Sequence, residues 1–259
     1  MLLCTVRNCG LPLERQNRRL SCAKGHSFDV ARSGYVNLLQ PQDKRSRVPG
    51  DSIAAVAARR RVHDRYVTRP LSAGVASVLH PSAADVILDA GCGDGFYLGA
   101  LTQGPGCQGS GVDISIPAID AAARRYPQHE WVVANADRMV PWQDRTFSAV
   151  ISITGRMNPP EFHRVLKPDG RLLIALPSPD DLIELRGQGR DRRERTIEEF
   201  SPLFKVVAQK RVTTNTDLDG AAVEDVLLAI YRPMRNEPPT AMRLTFGLDI
   251  LLFHPADSQ

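Results

Sequence analysis

The chain of 259 residues contains no long hydrophobic run: no apolar stretch approaches the ~20 residues that cross a bilayer, which excludes a membrane-spanning helix. Its opening residues, Leu2 and Leu3 followed by Cys4 and Arg7, lack the apolar core of a secretory leader, so a cytoplasmic protein is expected. Cysteine is sparse. The five present are expected as thiols or metal ligands, because disulfides do not persist in a reducing compartment. Internal repeats and long low-complexity tracts are also missing, which sets a solenoid aside. What remains, 42% hydrophobic and 24% charged residues, is the composition of a soluble globular chain. Its length suits one α/β domain with a small appendage.

Charge is present but uneven. Residues 1–80 hold 14 Lys/Arg against 5 Asp/Glu, a net of +9, whereas residues 81–259 hold 19 against 24, a net of −5. A basic head on an acidic body points to a polyanion as partner of the head. A merely solvated basic face is the alternative.

The chain is organised around Ile87-Leu88-Asp89-Ala90-Gly91-Cys92-Gly93-Asp94-Gly95-Phe96. An apolar run, an acid, three glycines at alternate positions and a renewed apolar pattern predict a buried strand, a tight turn and a helix start. Glycines let backbone approach a ligand where any Cβ would clash, and the helix N-terminus presents unpaired N–H groups. Asp113 ends the next predicted strand, about 20 residues on, where dinucleotide-type folds bind ribose hydroxyls. The Asp-x-Gly-x-Gly-x-Gly form resembles the S-adenosylmethionine (SAM) loop of class I methyltransferases. An NAD-binding turn, with two residues between its second and third glycines, fits less well, and a purely structural turn is the third reading.

Cys4, Cys9, Cys22 and His26 form a Cys-x4-Cys pair and a Cys-x3-His pair separated by twelve residues. Two such pairs on facing turns suit one tetrahedral zinc, and a segment this short needs a metal to fold. Incidental thiols are the competing reading. Cys92 and Cys107 lie outside the cluster. Val36, Leu38 and Leu39 are expected to pack on the zinc module. Residues 41–52 read as an exposed basic loop carrying Lys44, Arg45 and Arg47. Ser52 or Asp51 is expected to cap a helix that follows, and Pro70 to start a second one, within residues 53–79. Arg59, Arg60, Arg61 and Arg65 are expected on the side of the basic loop.

Strands are predicted at 85–90, 108–113, 130–134, 147–152 and 171–176, with helices at 95–102, 116–126 and 159–166, which is the alternation of parallel βαβ units. Lys167-Pro168-Asp169-Gly170 reads as a turn. A helix at 194–201 and two late strands at 204–214 and 243–254 complete the pattern.

Taken together, the Cys/Cys/Cys/His module, residues 25–39, the Lys-Arg-Ser-Arg-x-Pro-Gly-Asp-Ser loop (44–52) and the glycine loop resemble the bacterial 23S rRNA guanine-N1 methyltransferases of the RlmA family. Asn158-Pro159-Pro160-Glu161 and Pro177-Ser178-Pro179 match its pattern. The first cysteine pair departs from the usual Cys-x2-Cys, and Asp181 stands where the family commonly has histidine. The resemblance implies a class I SAM-dependent, Rossmann-like α/β domain (81–259), a zinc-binding domain (1–40) and a basic loop with a helical connector (41–80). It implies SAM and structural Zn2+ as cofactors, 23S rRNA as partner and a final antiparallel strand pair; a homodimer is left open.

On this reading Asp89 orients the loop and the cofactor's amino group. The backbone at Gly91, Gly93 and Gly95, with Asp94 and Phe96 beside it, approaches the methionyl part. Asp113 holds the ribose, Ile114 packs beside the adenine and Asp137 meets its edge; strand-end capping is the alternative for Asp113 and Asp137. Guanine N1 must lose a proton as the methyl arrives, and Thr154, Asn158 and Asp181 are the candidates for that catalytic neighbourhood. Tyr35, Tyr66 or Tyr97 could stack on the base or simply pack. Two other function classes stay open: a SAM enzyme for a small molecule, which would not need the basic head, and a non-catalytic RNA-binding zinc protein.

Overall fold

In the computed structural model, short apolar runs bounded by turns become strands buried on both faces. The structure describes residues 1–43, 49–104, 106–230 and 240–256; the basic run Lys44, Arg45 and Arg47 lies outside them. At the centre is β5 (Val86–Ala90), in which Ile87, Leu88 and Ala90 are fully buried. To one side lie β6 (Gln108–Asp113) and β7 (Glu130–Val133), to the other β8 (Phe147–Ile153) and β9 (Leu166–Pro177), all parallel. Next to β9 comes β11 (Met242–Pro255), antiparallel between β9 and the edge strand β10 (Phe204–Leu218). This is the antiparallel end that the resemblance implied. The chain moves outward from β5 in both directions, so the order reverses between β5 and β8. That reversal opens a crevice at the carboxyl ends of the strands, where open α/β sheets bind ligands.

The sheet has an eighth strand from the head. After a small sheet of β1 (Glu14–Gln16), β2 (Arg19–Ser21) and β3 (Ser27–Asp29), the two-residue β4 (Val36–Asn37) pairs in parallel with β7. The Leu38 amide continues the ladder to the Val133 carbonyl at 2.9 Å. Leu2, Cys4, Leu20, Cys22, Val36 and Leu38 share one core with Leu88, Val132 and Trp142 of the body. Leu38 is fully buried, and burial of a leucine contributes about 1.5–3 kcal/mol. Leu39 departs from expectation. Alternation sends it to the opposite sheet face, where it packs with Val62 and Val67 rather than with the zinc module.

Ser52 caps α1 (Ile53–Asp64), accepting from the Ala55 amide, and Pro70 lies in the first turn of α2 (Arg69–Leu79). Helices α3 (Phe96–Gln103), α4 (Ile116–Arg125), α5 (Pro159–Val165) and α7 (Arg193–Phe200) fall where periodicity predicts them, and α6 (Ile183–Arg186) is a single short turn. Two expectations change. The predicted turn at 167–170 is instead a bulge inside β9, where pairing with β8 steps from Phe147–Leu166 to Ala149–Arg171. Residues 220–229 form α8 (Gly220–Ala229), capped by Asp219, which sequence reading left unassigned.

Helix α1 packs between α8 and α4, and this decides the fate of its arginines. Each of the four meets an acid. Arg60 bonds Asp94, Arg61 grips Asp225 with its Nη2 at 2.6 Å, Arg65 reaches Asp219 and Arg59 pairs with Asp51. Three of the head's arginines, Arg60, Arg61 and Arg65, are thus paired with acids of the body.

Candidate active site and metal centre

Between β5 and α3 the three glycines all take left-handed backbone, with φ of +82°, +54° and +76° at Gly91, Gly93 and Gly95. At two of them the space is also closed. A Cβ on Gly95 would run into the Trp131 ring, and one on Gly91 would come within 3.2 Å of the Gly155 Cα. The turn is hung from the next strand: the Gly91 and Cys92 amides donate to the Val112 carbonyl at 2.8 and 3.1 Å. The Gly93 amide donates to Asp113 at 3.0 Å, and the Ser115 amide donates to the other oxygen of the same carboxylate at 2.8 Å. Asp89, Asp94 and Asp113, separate in sequence, are therefore brought to one place.

Asp89 is 2% exposed. Burial, with Asp113 and Asp94 nearby, pushes its carboxyl up to about 8. Burial also raises Asp113, against the opposing effect of its bonds from Ser115 and Gly93. A nest of desolvated acids suits a cationic ligand, which returns the charge that water no longer screens. SAM, with a sulfonium and an ammonium group, has that character. Ile114 is half-buried beside Asp113, where an adenine could lie. Phe96 instead stacks flat on buried His63, centroids 3.8 Å apart, and so serves the floor of the site.

Arg59, which sequence reasoning placed with the RNA-facing cations, sits against the glycine turn: a Cβ on Gly93 would lie 3.6 Å from its Nη1. It bonds Asp51, and its Nη2 donates to the Ala229 carbonyl at 2.9 Å. Burial opposes its charge, but Asp51, Asp94 and Asp113 outweigh that and raise its pKa. The Asp51 carbonyl in turn accepts from Ser115 Oγ at 2.8 Å, fastening residues 50–51 over the end of β6. Nothing in local spacing signals this, because the partners come from four distant segments.

The other side of the crevice carries the remaining candidates. Thr154 follows β8 with φ of +50° and is exposed, beside Gly155. The Asn158 side chain donates to the carbonyls of Ala136 and Asp137 at 2.9 and 3.1 Å, so it ties α5 to the loop after β7. Asp137 lies 3.6 Å from Arg156. Asp181, after β9, accepts from the Gly247 amide at 3.0 Å, and burial raises its carboxyl. Asp181 and Asp89 both act on the Tyr97 hydroxyl, whose pKa is raised first by burial and then by these two acids. Of the stacking candidates, Tyr35 and Tyr97 are half-buried and Tyr66 is 71% exposed.

In the head, the donor atoms of Cys4, Cys9, Cys22 and His26 all lie within 4.8 Å of one another. The Cys9 and Cys22 sulfurs are 3.8 Å apart, and His26 Nδ1 is 3.4 Å from both Cys4 and Cys22. Zinc–sulfur bonds of about 2.3 Å at tetrahedral angles require a sulfur–sulfur edge of about 3.8 Å, so the set fits zinc closely. The wide Cys-x4-Cys knuckle closes by placing Asn8 and Gly10 in left-handed backbone, with the Cys9 amide bonded to the Val6 carbonyl at 2.9 Å. Four protein ligands leave no open position, which is the mark of a structural site.

Residues 4–47 match the family model described as RlmA, N-terminal, and residues 87–170 match the model described as methyltransferase domain. The 23S rRNA (guanine(748)-N(1))-methyltransferase of Streptomyces fradiae is 34% identical over 231 residues, 85% of this chain and 81% of the relative. A Micromonospora griseorubida protein, provisionally named as a 23S rRNA (guanine-N(1)-)-methyltransferase, is 36% identical over 71% of this chain and 68% of its own. The solved structure of YjhP from E. coli shares the fold at 15% identity, with a TM-score of 0.53 over 79% of this chain and 99% of that one. Fold, glycine crevice and metal cluster together define a class I SAM-dependent methyltransferase built onto a structural zinc ribbon. The chain belongs to the RlmA-type family of 23S rRNA (guanine-N1)-methyltransferases.

Proposed function

We propose that this chain transfers the methyl group of SAM to N1 of a guanine in 23S rRNA. The observation that carries the reading is the joining of an RlmA-type zinc ribbon to the SAM sheet through β4, beside the strand whose loop holds Asn135 and Asp137. The names of the two relatives support the choice of guanine N1. Among the described residues no helix is long and apolar enough to cross a membrane; an rRNA substrate supports the reading of a cytoplasmic enzyme.

When bound, SAM supplies an activated methyl on its sulfonium. Asp89, Asp94 and the Gly91, Gly93 and Gly95 backbone hold its methionyl part. Phe96 braces the turn from below. Asp113 accepts from the ribose hydroxyls with the lone pairs that Gly93 and Ser115 leave free, while Ile114 and Asp137 border the adenine. Of the acceptor-side residues, Asp181 is assigned as the group that takes the N1 proton: it is a carboxylate after β9 whose pKa burial raises above the ordinary carboxylate range. Asn158, with its amide spent on two carbonyls, is a positioning residue, and Thr154 lines the entrance. N1 is hidden in paired guanine, so the substrate is a loop base or one turned out of its helix.

The labour divides along the chain. Residues 1–40, with zinc on Cys4, Cys9, Cys22 and His26, and residues 41–80, with Lys44, Arg45 and Arg47, engage RNA. Residues 81–259 carry SAM. Mass mapping of modified nucleosides in 23S rRNA, with and without the gene, tests the reading. A guanine that loses its N1-methyl mark without this protein supports it. Unchanged rRNA together with turnover of SAM on a small acceptor would replace it with a small-molecule methyltransferase.

A further inference from the structure

SAM is cationic at two positions but carries one carboxylate, on its methionyl end. That carboxylate must enter a crevice that already holds Asp89, Asp94 and Asp113, two of them 4% exposed or less. At the low effective dielectric of such a place, an added anion is strongly repelled unless a cation receives it. Arg59 is a cation packed against the turn. Its Nη1 lies 3.6 Å from where a Cβ on Gly93 would stand, and glycine leaves that space open. Nη1 donates to Asp51 and Nη2 to the Ala229 carbonyl, so the plane of the guanidinium is fixed before any ligand arrives. Neighbouring Arg60 is committed to Asp94 at 3.3 Å, which lowers the negative charge next to the same turn.

The geometry points to Arg59 as a cofactor-binding residue that receives the α-carboxylate of SAM, with Asp51 as the residue that positions it. The inference rests on the SAM reading of the crevice and goes beyond it by naming the cation, which belongs to the connector helix and not to the sheet domain. It also gives that helix a second task. The segment leading from the basic loop into α1 is bonded to the residue that selects the cofactor's amino-acid end. The amino-acid end, not the nucleoside, then decides whether a ligand is gripped by Arg59.

Calorimetry with two ligands separates these parts: S-adenosylhomocysteine, which has the carboxylate, and 5′-methylthioadenosine, which lacks the amino-acid end altogether. Arg59→Gln should weaken S-adenosylhomocysteine binding roughly ten- to hundredfold, the range for a lost bond to a charged group, and leave methylthioadenosine affinity unchanged. Arg59→Lys should recover part of the loss. Asp51→Asn should give a smaller loss of the same selective kind. Equal weakening of both ligands, or of neither, would overturn the assignment. The wild-type protein supplies a check that needs no variant: decarboxylated S-adenosylhomocysteine should bind roughly ten- to hundredfold more weakly than the parent by the same rule. Equal affinity there would also overturn it. Wild-type protein that binds methylthioadenosine but not S-adenosylhomocysteine would sink the clamp alone, whereas failure to bind either would sink the SAM reading itself.

Discussion

The Gly93 amide donates to the Asp113 carboxylate at 3.0 Å, joining the middle of the glycine turn to the end of the neighbouring strand. One acid thus serves two purposes. It holds the turn in its left-handed form, and it offers its remaining lone pairs at the place where a ribose is expected. Asp113→Ala should weaken SAM binding by roughly 1.5–3 kcal/mol, the value of a charged acceptor. Asp113→Asn, which keeps one acceptor oxygen, should lose less. Calorimetric affinity unchanged by the alanine variant would remove Asp113 from the site.

The buried state of Asp89 gives a pH signature. Its carboxyl sits at about 8 in the folded chain, against about 3.9 when unfolded. The folded protein therefore binds more protons between those values, and the contribution of this group to stability is present below about pH 4 and lost as pH rises toward about 8. A cationic ligand beside the carboxylate counters that loss. The melting temperature of the free protein should fall more steeply than that of its SAM complex between about pH 6 and about pH 8. Asp89→Asn should bring the two slopes together. Parallel slopes for the wild type would show that no cation settles beside Asp89.

Metal analysis should return about one zinc per chain, as a four-ligand site requires. Cys22→Ser should release it. Since Cys4 and Cys22 share a core with Leu38, Val132 and Trp142, the damage should spread to the sheet edge. Hydrogen exchange at the Leu38 amide, bonded to Val133, should accelerate in the variant. Retained zinc, or an unaltered edge after its loss, would contradict this coupling.

RNA binding should weaken as salt rises, because each neutralised phosphate releases counterions. Replacing Lys44, Arg45 and Arg47 with alanine should flatten the logarithmic slope by roughly 0.7–0.9 for each phosphate that the variant no longer neutralises. Arg61→Ala and Arg65→Ala should leave it nearly unchanged, since those side chains are held by Asp225 and Asp219. Filter binding across a salt series distinguishes the two sets. A flatter slope for the arginines of α1 than for the loop would reverse the assignment of the RNA surface.

Gly155 faces the glycine turn closely enough that a methyl group cannot be added. A Cβ there would lie 2.7 Å from the Ala90 carbonyl oxygen and 2.8 Å from Ser152 Oγ. Gly155→Ala should destabilise the fold by about 1–3 kcal/mol, as overpacking does, and weaken SAM binding by shifting Thr154 and Arg156. Denaturant titration with unchanged midpoint would show that the turn can yield.

Much of this molecule is legible in the order of its residues, for a physical reason. Strand and helix alternation, the glycine turn and the paired zinc ligands depend on periodicity and on interactions a few residues apart. The predicted strand at 108–113 coincides with β6, and the others lie within a few residues of theirs, apart from the longer β9 and β10. The tertiary structure decided what depends on remote partners. Arg61 meets Asp225 across 164 residues, and Arg59 meets the Ala229 carbonyl across 170. No local pattern announces such pairs, so a run of arginines reads as a free positive face until the packing of α1 against α8 assigns each one a partner. Likewise β4, only two residues long, carries too little periodicity to be predicted, yet its pairing with β7 builds the zinc module into the main sheet. Side-chain chemistry and short-range geometry are written along the chain. Which charges remain free, and which acids are stripped of water, is settled only when distant segments close around them.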